Sequence, residues 1–457
     1  MSEKEERTIV FECSASFSLN YGTGSVSSSG EAKIQLDKES ISVLPKFGES
    51  IYLTFRDIIE VSSKDYKIYL NLTSNEVLIL SDFGYQYEDF LRILSKLCNQ
   101  VILKDLLMNE SIRKSGVDAE FVHFDENNIE KTKGKCTVSL YETAVVIIPE
   151  KSEFKRIPYS DILEIHKEDR SLVITTESKQ RLGFSMMGRE FDPFNKTLSD
   201  SVNMLSVKVQ SYLKEILPTA DPLSIRKAAE FMKEGRAAKK SDIESVLPEL
   251  WKALEKKLTD FEIKEEYEFL KSLSHQNKIC IGLKRDLMGD LTGEYIWFLM
   301  PIYSTNSKQP GNVMAMEAIT EKGTGKATYF FKILSRKRYP EFNNIEELHK
   351  EVDGFIKKIN HCMLNINFRR EPIYLTEERL DDPDYLKYKF AIQRIPELRI
   401  LRELFIGRII HRSADQWKKN VIDLLKFNIS TDDDKAKWQK QEQEEQQENK
   451  TSTEKIN

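Results

Sequence analysis

Arginines and tyrosines crowd one stretch of this 457-residue chain. Residues 366–412 read INFRREPIYLTEERLDDPDYLKYKFAIQRIPELRILRELFIGRIIHR, with Arg369, Arg370, Arg408 and Arg412 among eight arginines. A guanidinium is a permanently charged planar fork that fits phosphate or carboxylate oxygens. Phe368, Tyr374, Tyr385 and Tyr388 offer ring faces to such cations. Acidic residues are interleaved as well (Glu371, Asp381, Glu397, Glu403), and Arg399, Arg402 and Glu403 sit at helical pairing distance. The commoner outcome of such a pattern is a salt-bridged helical surface. The functional alternative is an Arg-lined groove for an anion, built from Arg369, Arg370, Arg408 and Arg412 with His411 as a titratable neighbour. Spacing supplies no nucleophile or base beside them, so the chemistry implied is binding rather than bond-making.

Other motifs are weaker. Gly323-Thr324-Gly325-Lys326 suggests a phosphate loop, but Thr320 stands where the first Walker glycine belongs and Ala327 where a magnesium-binding hydroxyl belongs. A hairpin turn between strands is the better reading. His123, His166, His275 and His349 pair with no second histidine at i+3 or i+4, which points away from a metal. Five scattered cysteines without a CxxC pair predict buried, reduced thiols. No cofactor is expected.

The elements behind these residues begin with a repeat. Residues 30–90 align with 134–194 without a gap at an offset of 104, and about 13 of 61 pairs are identical, against roughly three or four by chance. Gly30, Leu36, Pro45, Asp57, Ile58, Glu60, Gly84 and Phe90 recur as Gly134, Leu140, Pro149, Asp161, Ile162, Glu164, Gly188 and Phe194. In each copy period-two alternation predicts strands. In the first these are Ala32–Leu36, Ile41–Leu44, Leu53–Ile58, Lys67–Leu72 and Val77–Ser81, and each has its counterpart 104 residues on. An amphipathic helix closes each copy, over Tyr87–Leu97 and Phe194–Ile216. Asn20–Gly30, rich in Gly and Ser, reads as a loop. The repeated carboxylates at 57 and 161 suit turns whose backbone N–H groups they accept.

The phrase of small-residue strand, apolar strand, Pro, aromatic-x-Asp-Ile, and an aromatic before a closing helix resembles the pleckstrin-homology (PH) superfold. It is similar to the PH-like modules of histone-chaperone and transcription-factor subunits and of uncharacterised microbial proteins. The resemblance covers about residues 10–215. It implies two tandem PH-like β-barrels, each closed by a C-terminal helix. Phosphoinositide-binding members carry a basic first loop, whereas the turns here are Asp37-Lys38-Glu39 and Tyr141-Glu142-Thr143. The resemblance therefore implies protein rather than lipid partners.

The expected organisation is α+β throughout. PH-like domains span 9–110 and 111–217, and a helical linker spans 218–260. An α+β domain spans 261–430, and a polar tail rich in Gln, Glu and Lys spans 431–457. In the linker, Leu223–Lys233 and Ser241–Leu258 read as helices, the second with Ser241 and Glu244 as a capping box. Beyond it, strands are expected at 278–284, 294–304, 313–320 and 326–333. Helices follow over Asn344–Asn360, Asp384–Gln393, Glu397–Ile410 and Ser413–Leu425. The C-terminal segment is similar to the end of long bacterial proteins of unknown role, which adds no chemistry.

A net charge of −5 gives no global pull toward nucleic acid or anionic membrane. No apolar run is long enough to span a bilayer and no signal peptide is legible, so a cytoplasmic protein is expected. The function that fits best is a non-catalytic scaffold whose partner is another protein. The alternatives are an enzyme or ligand-binding protein using the Arg-rich segment, and a nucleic-acid or chromatin-type binder.

Overall fold

The computed structural model describes residues 8–21, 26–105, 110–152, 154–285, 294–306, 311–320, 326–334, 344–411 and 413–427. The first copy contains seven strands and a helix: β1 (Phe11–Tyr21), β2 (Val26–Leu36), β3 (Ser40–Pro45), β4 (Ile51–Thr54), β5 (Ile58–Lys64), β6 (Lys67–Leu72), β7 (Glu76–Ser81) and α1 (Tyr87–Asp105). The second repeats the set as β8 (Ile112–Phe124), β9 (Glu130–Tyr141), β10 (Ala144–Pro149), β11 (Lys155–Pro158), β12 (Ile162–Glu168), β13 (Ser171–Thr176), β14 (Arg181–Ser185) and α2 (Phe191–Ile216). The two antiparallel sheets share one strand order, β4-β3-β2-β1-β7-β6-β5 and β11-β10-β9-β8-β14-β13-β12.

The duplication extends to single backbone groups. Phe55 N–H bonds Glu39 C=O and Tyr159 N–H bonds Thr143 C=O; Thr73 N–H bonds Asp57 C=O and Glu177 N–H bonds Asp161 C=O. Left-handed residues recur 104 positions on, as Asp65 and Asp169, Asn75 and Lys179, Asp82 and Met186, Gly84 and Gly188. Asp, Asn and Gly tolerate that conformation at little cost. Lys179 and Met186 hold it without that advantage, so the turn is imposed by the surrounding strands.

Three expectations change here. The strand expected over Leu53–Ile58 is two strands joined by a 3₁₀ turn at Phe55–Asp57, and the same break falls at Tyr159–Asp161. In the first copy Asp57 causes it: its carboxylate accepts from the Thr54 N–H and hydroxyl, both at 2.8 Å. Long first strands, β1 and β8, precede the expected set. The Ser-rich segment read as a loop is strand from Val26 onward, with Gly30 opposite Phe17 and Ser29 opposite Ser18. Its polar side chains lie on an exposed stretch of β2, where pairing with β1 decides the backbone.

The rest comprises α3 (Pro222–Phe231), β15 (Ala238–Lys239), α4 (Lys240–Val246), α5 (Pro248–Asp260), α6 (Lys264–Leu273), β16 (Cys280–Arg285), β17 (Glu294–Ile302), β18 (Val313–Thr320) and β19 (Ala327–Lys332). Then come α7 (Ile345–Asn365), α8 (Glu371–Tyr374), α9 (Glu377–Leu380), α10 (Leu386–Arg394), α11 (Pro396–Leu404), β20 (Phe405–Ile410) and α12 (Ala414–Phe427). The third sheet is antiparallel and runs β15 to β20 in chain order. One core joins it to the helices of 218–260 and to α12, through residues such as Ile225, Trp251, Phe298 and Trp417.

The helix expected over Ser241–Leu258 is interrupted at Leu247, ahead of Pro248; a residue before proline is pushed out of the helical region. The cap is Lys239 and not Ser241, and no side chain bonds there. Pairing explains why: Ala238 and Lys239 already hydrogen-bond β16. The helix expected over Glu397–Ile410 ends at Leu404, and Phe405–Ile410 is strand β20, paired with β19. In FIGRII, Phe405, Gly407 and Ile409 are buried while Ile406, Arg408 and Ile410 are more open, a period of two that the helical reading overlooks.

By contacts the chain forms two compact units. One holds residues up to Ser201 together with Leu375–Pro396, and the other holds Val202–Tyr374 and the residues from Glu397 onward.

Candidate functional site

The third sheet sorts the expected site residues onto two faces. Directly opposed residues of antiparallel strands share a face. Glu317 opposes Thr328, and Thr328 opposes Ile409. That face points into the core shared with Trp417. Tyr329 opposes Arg408, one residue out of step and so on the other face.

His411 belongs to the first face. Its Nε2 lies 2.9 Å from Glu317 Oε2 and its Nδ1 3.1 Å from Glu266 Oε1. Glu317 is fully buried. Its oxygens also accept from Ala327 N–H and from the Thr328 hydroxyl, which in turn accepts from Trp417 Nε1 at 2.9 Å. The imidazole stacks on Trp417 with ring centroids 5.2 Å apart. Burial pulls the His411 pKa down, but hydrogen bonds and charge from Glu266 and Glu317 outweigh it and raise it to about 9. The ring is therefore cationic at neutral pH, a charge held between two carboxylates. Burial pushes Glu266 up, and the His411 contact more than offsets this, leaving it below the ordinary carboxylate value. Both imidazole nitrogens, both Glu317 oxygens, the Thr328 hydroxyl and the Trp417 indole N–H have protein partners, so the network has the form of a structural clamp.

Arg370 and Arg408 occupy the other face. Arg370 follows a turn at Asn367 and Phe368, both at positive φ, and donates from Nη1 to Ala318 C=O at 2.8 Å. Its guanidinium carbon lies 5.3 Å from the centre of the Tyr329 ring and 6.0 Å from that of Tyr295. Arg408 stacks on Tyr374 at 3.8 Å, and Tyr374 lies 5.9 Å from Tyr329. Arg369 is half-buried on the same turn, where its N–H bonds Ile366 C=O. Arg412 lies outside the described residues. The structure thus brings Arg370 and Arg408 together around Tyr329 and places His411 behind the sheet.

Tyr295, Tyr329, Glu317 and Glu266 are absent from the residues singled out by sequence. Glu317 did carry a signal, being a lone carboxylate in the apolar strand VMAMEAIT; a charge there requires a buried partner.

Of the remaining motifs, Lys326 donates to the backbone carbonyl of Glu262, and 321–325 lie outside the described residues. His275 and His349 meet through Tyr303: its hydroxyl is 2.6 Å from His349 Nδ1 and its carbonyl 2.9 Å from His275 Nε2. Among the described residues no group of three or more His, Cys, Asp or Glu is arranged to hold a metal. All five cysteines are buried and free. Burial raises Cys13 to about 11 and Cys98 and Cys136 to about 12, which keeps them as unreactive thiols.

A concave surface lies in the tandem modules. One groove of about 760 Å³ runs between the start of α1 (Glu88, Asp89, Arg92) and β9–β10 with the following turn (Lys133, Lys135, Pro149, Glu150, Lys151), with Phe121 in its lining. A second of about 670 Å³ follows β8, β13 and β14 past Val122, Val173, Arg181 and Gly183. Phe121, Lys133, Gly134 and Lys135 border both, but the linings lie on opposite faces of the sheet. Val122, Lys133, Val173 and Gly183 share one face, while Phe121 and Gly134 share the other, so the second groove alone forms an open channel over β8, β14 and β13. Gly183 opposes Val122, which opposes Lys133; the missing side chain deepens the channel there. Salt bridges Lys151–Glu88 at 2.5 Å and Arg92–Asp89 at 3.1 Å edge the first groove, their side chains largely exposed.

No family model matches this chain, and no curated protein matches it. Among solved structures it is similar to a chain in the structure of the Spt16D Pob3N heterodimer. The identity is 15%, over 37% of this chain and 85% of that one, with a TM-score of 0.15. At that score the likeness carries no argument. No helix of the described residues is long and apolar enough to cross a membrane.

Proposed function

We propose that this chain is a non-catalytic scaffold that holds an extended segment of another protein in the channel of its second module. In this reading residues 9–110 and 111–217 are PH-like barrels, each plugged by its closing helix, 261–430 is an appended α+β domain apart from Leu375–Pro396, which packs with the repeats, and the protein works in the cytoplasm. The observation that carries the proposal is the channel itself. It is open, about 670 Å³ in volume, with Val122 and Val173 along it and Glu120, Lys133, Glu168 and Arg181 supplying charges of both signs. A small-molecule pocket is typically enclosed, mostly apolar and furnished with a few polar groups. An apolar strip with a charged rim is the anatomy of a polypeptide interface.

Photo-crosslinking tests the proposal. A benzoylphenylalanine at Lys135, inside the channel, should trap a discrete polypeptide in cells, whereas the same probe at exposed Lys256 on α5 should not. Charge reversal at Arg181 should weaken the adduct at least about fivefold, since rim charges steer encounter and fix register. Equal adducts at both positions, or none at Lys135, would remove the channel from the account.

A further inference from the structure

The face of the third sheet turned away from Trp417 contains one donor that the fold leaves unpaired and one that it uses only in part. Tyr295 is 2% exposed, and its hydroxyl has no hydrogen-bond partner among the described residues. Buried polar groups in folded proteins are overwhelmingly paired, so an orphan calls for an explanation. Beside it stands Arg370. A guanidinium carries five N–H donors, and the hydrogen bond made by this one runs from Nη1 to Ala318 C=O. No carboxylate pairs with it among the described residues. Glu317 is next to Ala318 in β18, but alternation turns its side chain to the opposite face, where Ala327, Thr328 and His411 bind its oxygens. The charge of Arg370 is met on its own face by the Tyr295 and Tyr329 rings.

We infer that Arg370 and Tyr295 form a binding site for a small oxyanion, the phosphate or carboxylate group of a ligand, on the face of β17–β19 turned away from Trp417. A half-used cationic fork beside an unpaired hydroxyl donor is the donor set an oxyanion accepts from. A cation would be repelled, and a neutral carbonyl would satisfy the hydroxyl while leaving the guanidinium uncompensated. Arg408, stacked on Tyr374 next to Tyr329, adds positive potential at the rim. The inference is independent of the channel in the second module, because it concerns different residues and a different ligand class.

The test uses the full chain in chloride buffer. Inorganic phosphate is titrated in one arm and acetate in the other, with potassium chloride at matched ionic strength as control, and the melting temperature is followed together with calorimetric binding. A ligand that binds only the folded state raises the melting temperature in proportion to its occupancy. Phosphate, acetate or both should do so beyond chloride, and the larger response assigns the ligand class. Tyr295→Phe removes only the unpaired hydroxyl. It should melt no lower than wild type without anion, yet bind the responding anion about tenfold more weakly, the usual scale for one hydrogen bond to a charged group. Arg370→Lys keeps the charge and loses the fork, and should weaken binding similarly. If neither anion exceeds chloride up to roughly 20 mM, where even a weak site would be filled, the inference fails. It also fails if Tyr295→Phe binds like wild type, and this second variant keeps the test decisive should the Arg370 substitution misfold.

Discussion

His411 shows what a single side chain can commit a fold to. It stands between Glu266 on α6 and Glu317 on β18, partners 145 and 94 residues away in sequence. The histidine stands out in the sequence as a titratable residue in a basic segment, but no spacing rule reaches that far, so its carboxylates were out of view. A rise in pKa from 6.5 to about 9 corresponds to roughly 3 kcal/mol of favourable interaction with the charged ring. The sign follows from the direction of the shift. This stability is fully present below about pH 6.5 and is lost as pH climbs through about 9. Glu266, lowered, acts oppositely: its contribution is present above the ordinary carboxylate pKa and fades as pH falls. His411→Gln should therefore be less stable than wild type by about 2–3 kcal/mol at pH 7, and the gap should close between pH 8 and 10. Urea unfolding across that range, followed by tryptophan fluorescence because Trp417 stacks on the ring, measures it. Parallel curves for the two proteins would show that the imidazole carries no net charge in the clamp.

At the scale of elements, local pattern served well wherever one face of a strand is buried and failed where a tertiary contact overrules the local preference. Apart from the breaks at Phe55–Asp57 and Tyr159–Asp161, the strands of the repeat from Ala32 onward were legible in period-two alternation, since burial and pattern coincide. Phe405–Ile410 was misjudged because the arginines and leucines of α11 set up a helical stripe that runs into it, and only pairing with the edge of β19 makes it a strand. The break at Pro248 was legible in principle, but the apolar stripe of α5 masked it. The close approach at Gly282 was not legible at all. A β-carbon there would lie well inside contact distance of Trp297 Nε1 and Gly235 C=O, which are joined by a buried 2.7 Å hydrogen bond. That bond ties the turn after α3 to the middle of β17. Gly282→Ala must push the indole off its carbonyl, combining overpacking with a lost buried hydrogen bond, and should cost about 3 kcal/mol or more. The midpoint of urea unfolding should fall with the slope unchanged. A loss within about 0.5 kcal/mol, the ordinary range of a surface change, would mean that the tryptophan has another way to sit.

For the molecule as a whole, sequence order and structural membership part company. The repeat is visible as a 104-residue offset because both copies solve the same packing problem with similar residues. Nothing periodic announces that Leu375–Pro396 joins the unit of the repeats. Helix α10 lies against α1, the Phe55–Asp57 turn and β5. Phe390, 1% exposed, completes the hydrophobic core of the first module, and Arg394 donates to Ile58 C=O at 3.0 Å. An aromatic and an arginine four residues apart share one helix face, so a single face supplies both the apolar anchor and the hydrogen bond to the start of β5. The first module therefore depends on a segment nearly three hundred residues downstream for part of its interior. Phe390→Ala should leave a cavity that costs about 3–5 kcal/mol if the surroundings stay rigid. Hydrogen exchange on the full chain should quicken in α1, β5 and α10 together, because those elements share the lost contact, while β12 and β13 of the second module keep wild-type protection. Exchange that quickens in α10 alone would mean that the first module closes its core without it, and that the downstream helix is a passenger on a module already complete.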